Sequence, residues 1–152
     1  MFRFFPIFVC LLLDQLTKYW IFKVNHPIDL LSFLSLTPAY NEGFIFGLFD
    51  RWSGFLKNLF YFATPVAILF FLIGLLIFTK NSTLRFGISL VVGGGLGNII
   101  DRLLLDKVRD FIDFHIGSWH YPIFNIADVC INLGIVVIAF YYLFQYKASK
   151  GD

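Results

Sequence analysis

Gly93-Gly94-Gly95-Leu96-Gly97-Asn98-Ile99-Ile100-Asp101-Arg102 is an apolar helix candidate whose small face ends in an amide, an acid and a guanidinium. In water a run so rich in glycine is a poor helix former, each glycine costing about 1 kcal/mol against alanine. Inside a membrane the same residues let helices approach closely, and Gly93 with Gly97 makes a small-xxx-small surface. On a helix, positions 94, 98 and 101 or 102 share a face. Their polar groups then point together into a bundle, because hydrocarbon cannot hydrate them. The stretch has no Lys-Ser/Thr ending, so its glycines speak for packing and not for a phosphate loop.

Working outward, the chain surrounds this stretch with further apolar segments. Of its 152 residues 59% are hydrophobic and only 14% charged, which places it in the membrane class and fits one domain over 1–152. Four spans of bilayer-crossing length are expected at about 4–22, 59–78, 84–104 and 126–146. The first is interrupted by Asp14 and Lys18 and lacks a small-residue cleavage signal, so it is read as a span and not as a signal peptide. Pro65 near the start of the second can kink it without excluding it. A net charge of +2, with no basic run, excludes a nucleic-acid surface. Cys10 and Cys130, both in apolar segments, read as small buried hydrophobes.

An even number of spans puts both termini on one side. Lys80 and Arg85 lie in the short link between spans two and three, a dense positive-inside signal that makes the termini cytoplasmic, although the total count of basic residues favours the other side. On the outer side, two apolar runs at 28–36 and 44–49 flank the turn residues Thr37 to Gly43 and suggest a small sheet against the outer leaflet. Residues 50–58, with Trp52, read as a short interfacial helix or a linker. Charge alternating with apolar bulk over 106–114 fits a half-buried strand.

Phe124-Asn125-Ile126-Ala127-Asp128-Val129 reads as a helix start, with Asn125 as N-cap, Asp128 as the reciprocal acid and Phe124 with Val129 as a staple. That geometry fixes a carboxylate at the outer mouth of span four. A second acid there would allow two carboxylates to share a proton, one acting as base toward water while the other protonates a peptide carbonyl. Asp101, Asp106, Asp110 and Asp113 are all candidates for the partner. Asp14 and Lys18, four residues apart, form a charge pair on an inward face. His26, His115 and His120 show no His-x-x-x-His spacing and no cysteine cluster joins them, so no metal site is expected and they read as surface or interface residues. The residues alone leave open a small transporter or ion-conducting subunit, or a structural subunit whose acids pair with Arg102 and Arg109.

Taken in order, Asp14-Gln15-Leu16-Thr17-Lys18, Asn41-Glu42-Gly43-Phe44-Ile45-Phe46, Gly94 to Arg102, Val108-Arg109-Asp110-Phe111 and Phe124-Asn125-Ile126-Ala127-Asp128 resemble the bacterial lipoprotein signal peptidases, the signal peptidase II family. The resemblance implies four transmembrane helices, a small extracytoplasmic β-cradle and a short interfacial helix. It implies a multi-pass aspartyl endopeptidase of the bacterial inner membrane that cleaves diacylglyceryl-modified prolipoproteins immediately before the lipid-modified cysteine. By that resemblance Asp110 and Asp128 are catalytic, Asn98 and Arg102 face the substrate groove, and Asn41 and Gly43 belong to the cradle. Asp14, Lys18, Asp101 and Asn125 support them. No metal or organic cofactor is implied; membrane lipid and the family's cyclic peptide inhibitors are the other implied partners, and the enzyme is expected to be a monomer. Phe44-Ile45 departs from the family's Ala-Ala before phenylalanine, which touches cradle shape and neither acid.

Overall fold

The computed structural model describes residues 4–42, 54 and 59–148. It is a mainly α-helical membrane protein, with four helices long and apolar enough to cross a bilayer and one small antiparallel sheet. Helix α1 is Phe5–Val24 and the second span, Leu59–Phe78, contains α2, Thr64–Phe78. Helix α3 is Ser82–Leu105 and α4 is Ile126–Ala148. Strands β1 (Ile28–Leu31) and β2 (Leu34–Asn41) follow α1, while β3 (Val108–Ile116) and β4 (Trp119–His120) lie between α3 and α4.

The helices end where their backbone groups find partners. Asn81 caps α3, its Oδ1 accepting from the N–H groups of Thr83 and Leu84 at 2.9 and 3.1 Å. At the far ends of α1 and α3 stand Asn25 (φ 54°) and Asp106 (φ 57°), two residue types that tolerate the left-handed turn, each returning its N–H to the helix. Pro65 acts at the start of the second span: Leu59–Ala63 is wound as a wide π-helical turn, and the regular helix begins with the proline in its first turn. A proline has no N–H to give and is accepted at that position. Thr64 Oγ1 donates to the Leu59 carbonyl at 2.9 Å within the wide turn.

Burial is inverted relative to a water-soluble protein. Phe70, Phe78 and Phe144 are exposed, while Asp14, Lys18, Asp101 and Asn125 are wholly buried. Helix α3 is the most buried of the four spans, and its glycines are the reason. Gly93 lies against Cys10 and Ile7 of α1, Gly97 against the Asp14 carboxylate, and Gly94 against the Ala127 carbonyl of α4. Gly134 returns the contact from α4, so that a Cβ there would stand 2.5 Å from the Gly87 carbonyl oxygen. Opposite these rows, Ile88, Val92 and Ile99 of α3 join Leu69 and Leu76 of α2 and Ile7 of α1 in the apolar core. Cys10 of α1 and Cys130 of α4 are buried free thiols.

A paired substitution tests this packing. A methyl at Gly94 would collide with backbone, the Ala127 carbonyl, and would sit 2.9 Å from Ile131 Cγ1. At Gly95 it would meet only Leu69 Cδ1 at 3.7 Å, an ordinary contact. Gly94→Ala is expected to lower unfolding stability in micelles by about 1–3 kcal/mol, the usual range for overpacking, and Gly95→Ala to leave it nearly unchanged. Equal melting of the two variants would contradict the close α3–α4 approach.

The sheet corrects one expectation. Residues 37–41 are not a turn but part of β2, which pairs with β1 on one side and β3 on the other in the order β1-β2-β3-β4. The turn of the first hairpin is at Ser32 and Phe33, between the paired Leu31 and Leu34. Pro38 is tolerated in this inner strand because the β2–β3 register slips between Leu36 and Ala39, and a bulge needs no ladder donor there. The expected half-buried strand is present as β3. The apolar run 44–49, the segment 50–58 apart from residue 54, and Gly43 lie outside the described residues.

Candidate active site

Helix α4 begins with the reciprocal cap expected of its sequence. Asn125 Oδ1 accepts from the Asp128 N–H at 2.9 Å, and Asp128 Oδ2 accepts from the Asn125 N–H at 3.2 Å. A second carboxylate joins from α1: Asp14 Oδ1 accepts the Ala127 N–H at 2.9 Å. Two acids and one amide thus occupy the positive end of α4, where unpaired N–H groups favour negative charge.

Strand β3 brings Asp110 to the same place. Phe111 and Ile112 both donate their N–H groups to the Phe124 carbonyl, at 3.0 and 2.7 Å, so β3 is pinned to the residue that precedes the helix cap. Asn125 then touches both acids, its Nδ2 donating to Asp110 Oδ1 at 2.6 Å while its N–H reaches Asp128. Asn41, at the end of β2, donates to the other Asp110 oxygen at 2.9 Å. Asn98, on α3, donates to Asp128 Oδ1 at 2.8 Å and accepts from Asn125 Nδ2 at 3.0 Å. Three amides from three elements therefore hold two carboxylates.

Beneath the acids lies a closed ionic network. Lys18 Nζ is 2.8 Å from Asp14 and 3.3 Å from Asp101, and donates to Asn98 Oδ1 at 3.1 Å. Arg109 grips Asp101 through its side chain, at 2.7 Å from Nη2 to Oδ1, and through its own N–H at 2.9 Å. Gln15 bridges the two halves, donating to Asp14 and accepting from Arg109 at 3.0 Å in both cases. Two acids and two bases balance, which removes the net charge that burial would otherwise penalise. The remaining pair, Asp110 and Asp128, is left without a cation of its own among the contacts described.

Their surroundings differ. Asp110 is 2% exposed, and burial pushes its carboxyl up to about 6, reinforced by the nearby Asp128 charge and opposed by the Asn41 and Asn125 donors. Asp128 is only half-buried and opens, with Tyr121, Phe124, Val129, Asn132 and Leu133, onto a cavity of about 270 Å³. One acid is poised to hold a proton, the other to meet a ligand.

Of the residues singled out from sequence, Asp14, Lys18, Asn41, Asn98, Asp101, Asp110, Asn125 and Asp128 come together. Arg102 does not join them: its guanidinium lies 5.1 Å over the Tyr61 ring, and its Nε is buried without a hydrogen-bond partner. Two of the four candidate partners for Asp128 go elsewhere, Asp106 to the end of α3 and Asp113 to His120 Nδ1 at 2.9 Å. Asp101 is held by Lys18 and Arg109. Gln15 was not singled out, and the available signal was an amide beside an inward-facing acid. Arg109, named from sequence only as a partner for acids in a structural subunit, does pair with one, Asp101. His115 and His120 are half-buried and exposed respectively, and with Asp113 they place one ligand atom each within 4.8 Å of one another, a group that no motif spacing announces.

Carboxylates held by amide donors at one end of a helical membrane bundle, above a self-neutralised ionic base, define a membrane-embedded peptide hydrolase of the aspartic type. The chain belongs to the signal peptidase II family, whose model matches residues 6–144. It is similar to the lipoprotein signal peptidase of Coxiella burnetii (strain Dugway 5J108-111), 41% identical over 138 residues that cover 88% of this chain and 84% of that one. The lipoprotein signal peptidase of Thermodesulfovibrio yellowstonii is 41% identical over 147 residues, covering 95% and 92%. A solved bacterial membrane enzyme superposes with a TM-score of 0.82 at 33% identity, over 93% of this chain and 92% of that one.

Proposed function

We propose that the chain removes signal peptides from diacylglyceryl-modified prolipoproteins immediately before the lipid-modified cysteine, with Asp110 and Asp128 as the catalytic pair. The observation that carries this reading is Asn125, a single residue hydrogen-bonded to both acids. Asp128, at the helix start and open to the cavity, acts as the base and takes a proton from water as the water oxygen attacks the scissile carbonyl carbon. Asp110 gives its proton to the carbonyl oxygen. The tetrahedral intermediate collapses when the C–N bond breaks, the new amine takes the proton that Asp128 received, and the carbonyl oxygen returns its own to Asp110. No cofactor enters this sequence.

The single peptidase unit spans 1–152, works as a monomer and sits in the bacterial inner membrane with both termini cytoplasmic. Asn98, Arg102, Asn41 and Gly43 shape the groove, while Asp14, Lys18, Asp101 and Asn125 hold the acids in place. The family's cyclic peptide inhibitors are read as occupying the same groove. Exposed Leu30, Leu31, Phe33, Ile116 and Trp119 on the sheet suit the outer leaflet surface. Signal helix and diacylglyceryl group are both apolar, so the substrate enters sideways from the bilayer. Photo-crosslinkers at Phe44, Phe46 or Phe49 are expected to capture lipid-modified precursor near its cleavage site; capture confined to the link around Asn81 would overturn the topology.

The pH dependence follows from the shared proton. Asp110 must be neutral and Asp128 ionised, so kcat/KM is expected to be bell-shaped and to report the pair, not single residues. Because the Asp110 carboxyl is raised to about 6, the proton is lost as pH rises through that value and activity falls on the alkaline side. Lipid-modified substrate excludes water and moves the corresponding limb of kcat upward. A kcat/KM that stays flat from pH 5 to pH 8 would contradict the assignment.

A further inference from the structure

The turn after β3 is built by Gly117 (φ +61°) and Ser118, and a two-residue hairpin with glycine first fixes the register of its strands. That register sets His115 directly opposite His120. Asp113 lies two residues before His115, so strand alternation brings it to the same face. The imidazole rings stack at 5.2 Å, and His120 Nδ1 is 2.9 Å from Asp113 Oδ1. His115 Nδ1 is buried with no hydrogen-bond partner among the described residues, an orphan that costs free energy as it stands.

We propose that Asp113, His115 and His120 form a binding site for a divalent transition metal of the zinc class, separate from the aspartate pair. One carboxylate oxygen and two imidazole nitrogens are a donor set that suits zinc over calcium or magnesium. Zinc bonds of about 2.0–2.2 Å place tetrahedral ligand atoms about 3.3 Å apart, and here the three stand within 4.8 Å of one another. His120, 53% exposed, gives the ion a path from solvent and leaves a coordination position for water. Thr37 Oγ1 donates to the second Asp113 oxygen at 3.4 Å and orients it from outside. Bound metal would give His115 its missing partner and staple β4 to β3.

The test uses the full chain in detergent micelles, carrying no polyhistidine tag, titrated with Co²⁺ and then Zn²⁺. The expected result is one equivalent of Co²⁺ with the d–d absorption of a four- or five-coordinate N/O site, displaced by Zn²⁺, and a melting temperature raised by Zn²⁺. His120→Ala, at an exposed position that leaves folding intact, is expected to weaken Co²⁺ binding by about 100-fold or more, at least what losing an outer partner of a metal ligand costs. Asp113→Asn should weaken it likewise, and Asp110→Asn should bind as the parent does. Absence of the d–d bands, or bands that survive the double replacement of His115 and His120 by Ala, would overturn the site. Bands lost only in Asp110→Asn would assign the metal to the aspartate pair and overturn it equally.

Discussion

Asp110→Asn and Asp128→Asn are each expected to leave a folded membrane protein that does not cleave. General acid and general base catalysis each contribute roughly 10²–10⁴-fold, so either variant should lose at least about 10²-fold in kcat/KM on a lipid-modified peptide. Asparagine keeps one of the two acceptors that each acid offers to the N–H donors around it, and at position 128 its oxygen can still accept the Asn125 N–H at the start of α4, but neither amide can trade a proton. Asp110→Asn also removes the carboxyl that burial penalises, so its stability above pH 6 should not fall below that of the parent. Because the acids act as one unit, the double variant should be no slower than the slower single one. A folded Asp128→Asn protein with parental turnover would remove Asp128 from the pair. Asp101→Asn is expected to act through assembly, since Asp101 is taken up by Lys18 and Arg109; its complete inactivity in a folded protein, beside a fully active Asp110→Asn, would reverse the assignment.

Lys18→Met is expected to have the largest effect on stability. Lys18 is wholly buried and faces Asp14 and Asp101, which methionine would leave with one cation, Arg109, between them. Removing one partner of a buried ion pair costs about 3–5 kcal/mol, because the charge left behind is neither hydrated nor paired. Methionine keeps most of the side-chain volume, so the loss reports charge more than packing. Unfolding in micelles measures it, and adding Asp14→Asn to Lys18→Met should restore a large part, since asparagine can still accept the Ala127 N–H. A single variant as stable as the parent would show that the network carries no such energy. The Asp110 geometry is expected to suffer too, because Arg109, its neighbour in β3, is anchored on Asp101.

Much of this arrangement is local and therefore legible in the chain. The lengths of four apolar runs are set by bilayer thickness, and the cap of α4 closes within the four residues from Asn125 to Asp128. Asp14 and Lys18 pair because a helix brings i and i+4 together. The family resemblance added Asp110 as partner, a choice that residue spacing left open among four acids. The turn expected at Thr37 to Gly43 failed over residues 37–41 for a tertiary reason: Pro38 and its neighbours are carried into a strand by pairing with β3, over 60 residues away, and a register slip absorbs the missing donor.

What the sequence by itself determined is the membrane class, the spans, the helix cap and the inward face of α1, all of which depend on contacts within one turn or one bilayer thickness. Only the tertiary structure decided that Asn125 reaches Asp110, that Asn98 reaches Asp128, that Arg102 turns to Tyr61, and that Asp113 meets two histidines. These contacts depend on which strand lies beside which helix. Such placement comes from glycine rows that let α3 press against α1 and α4 and from backbone bonds that pin β3 to Phe124, neither of which is written in the spacing of the residues they bring together.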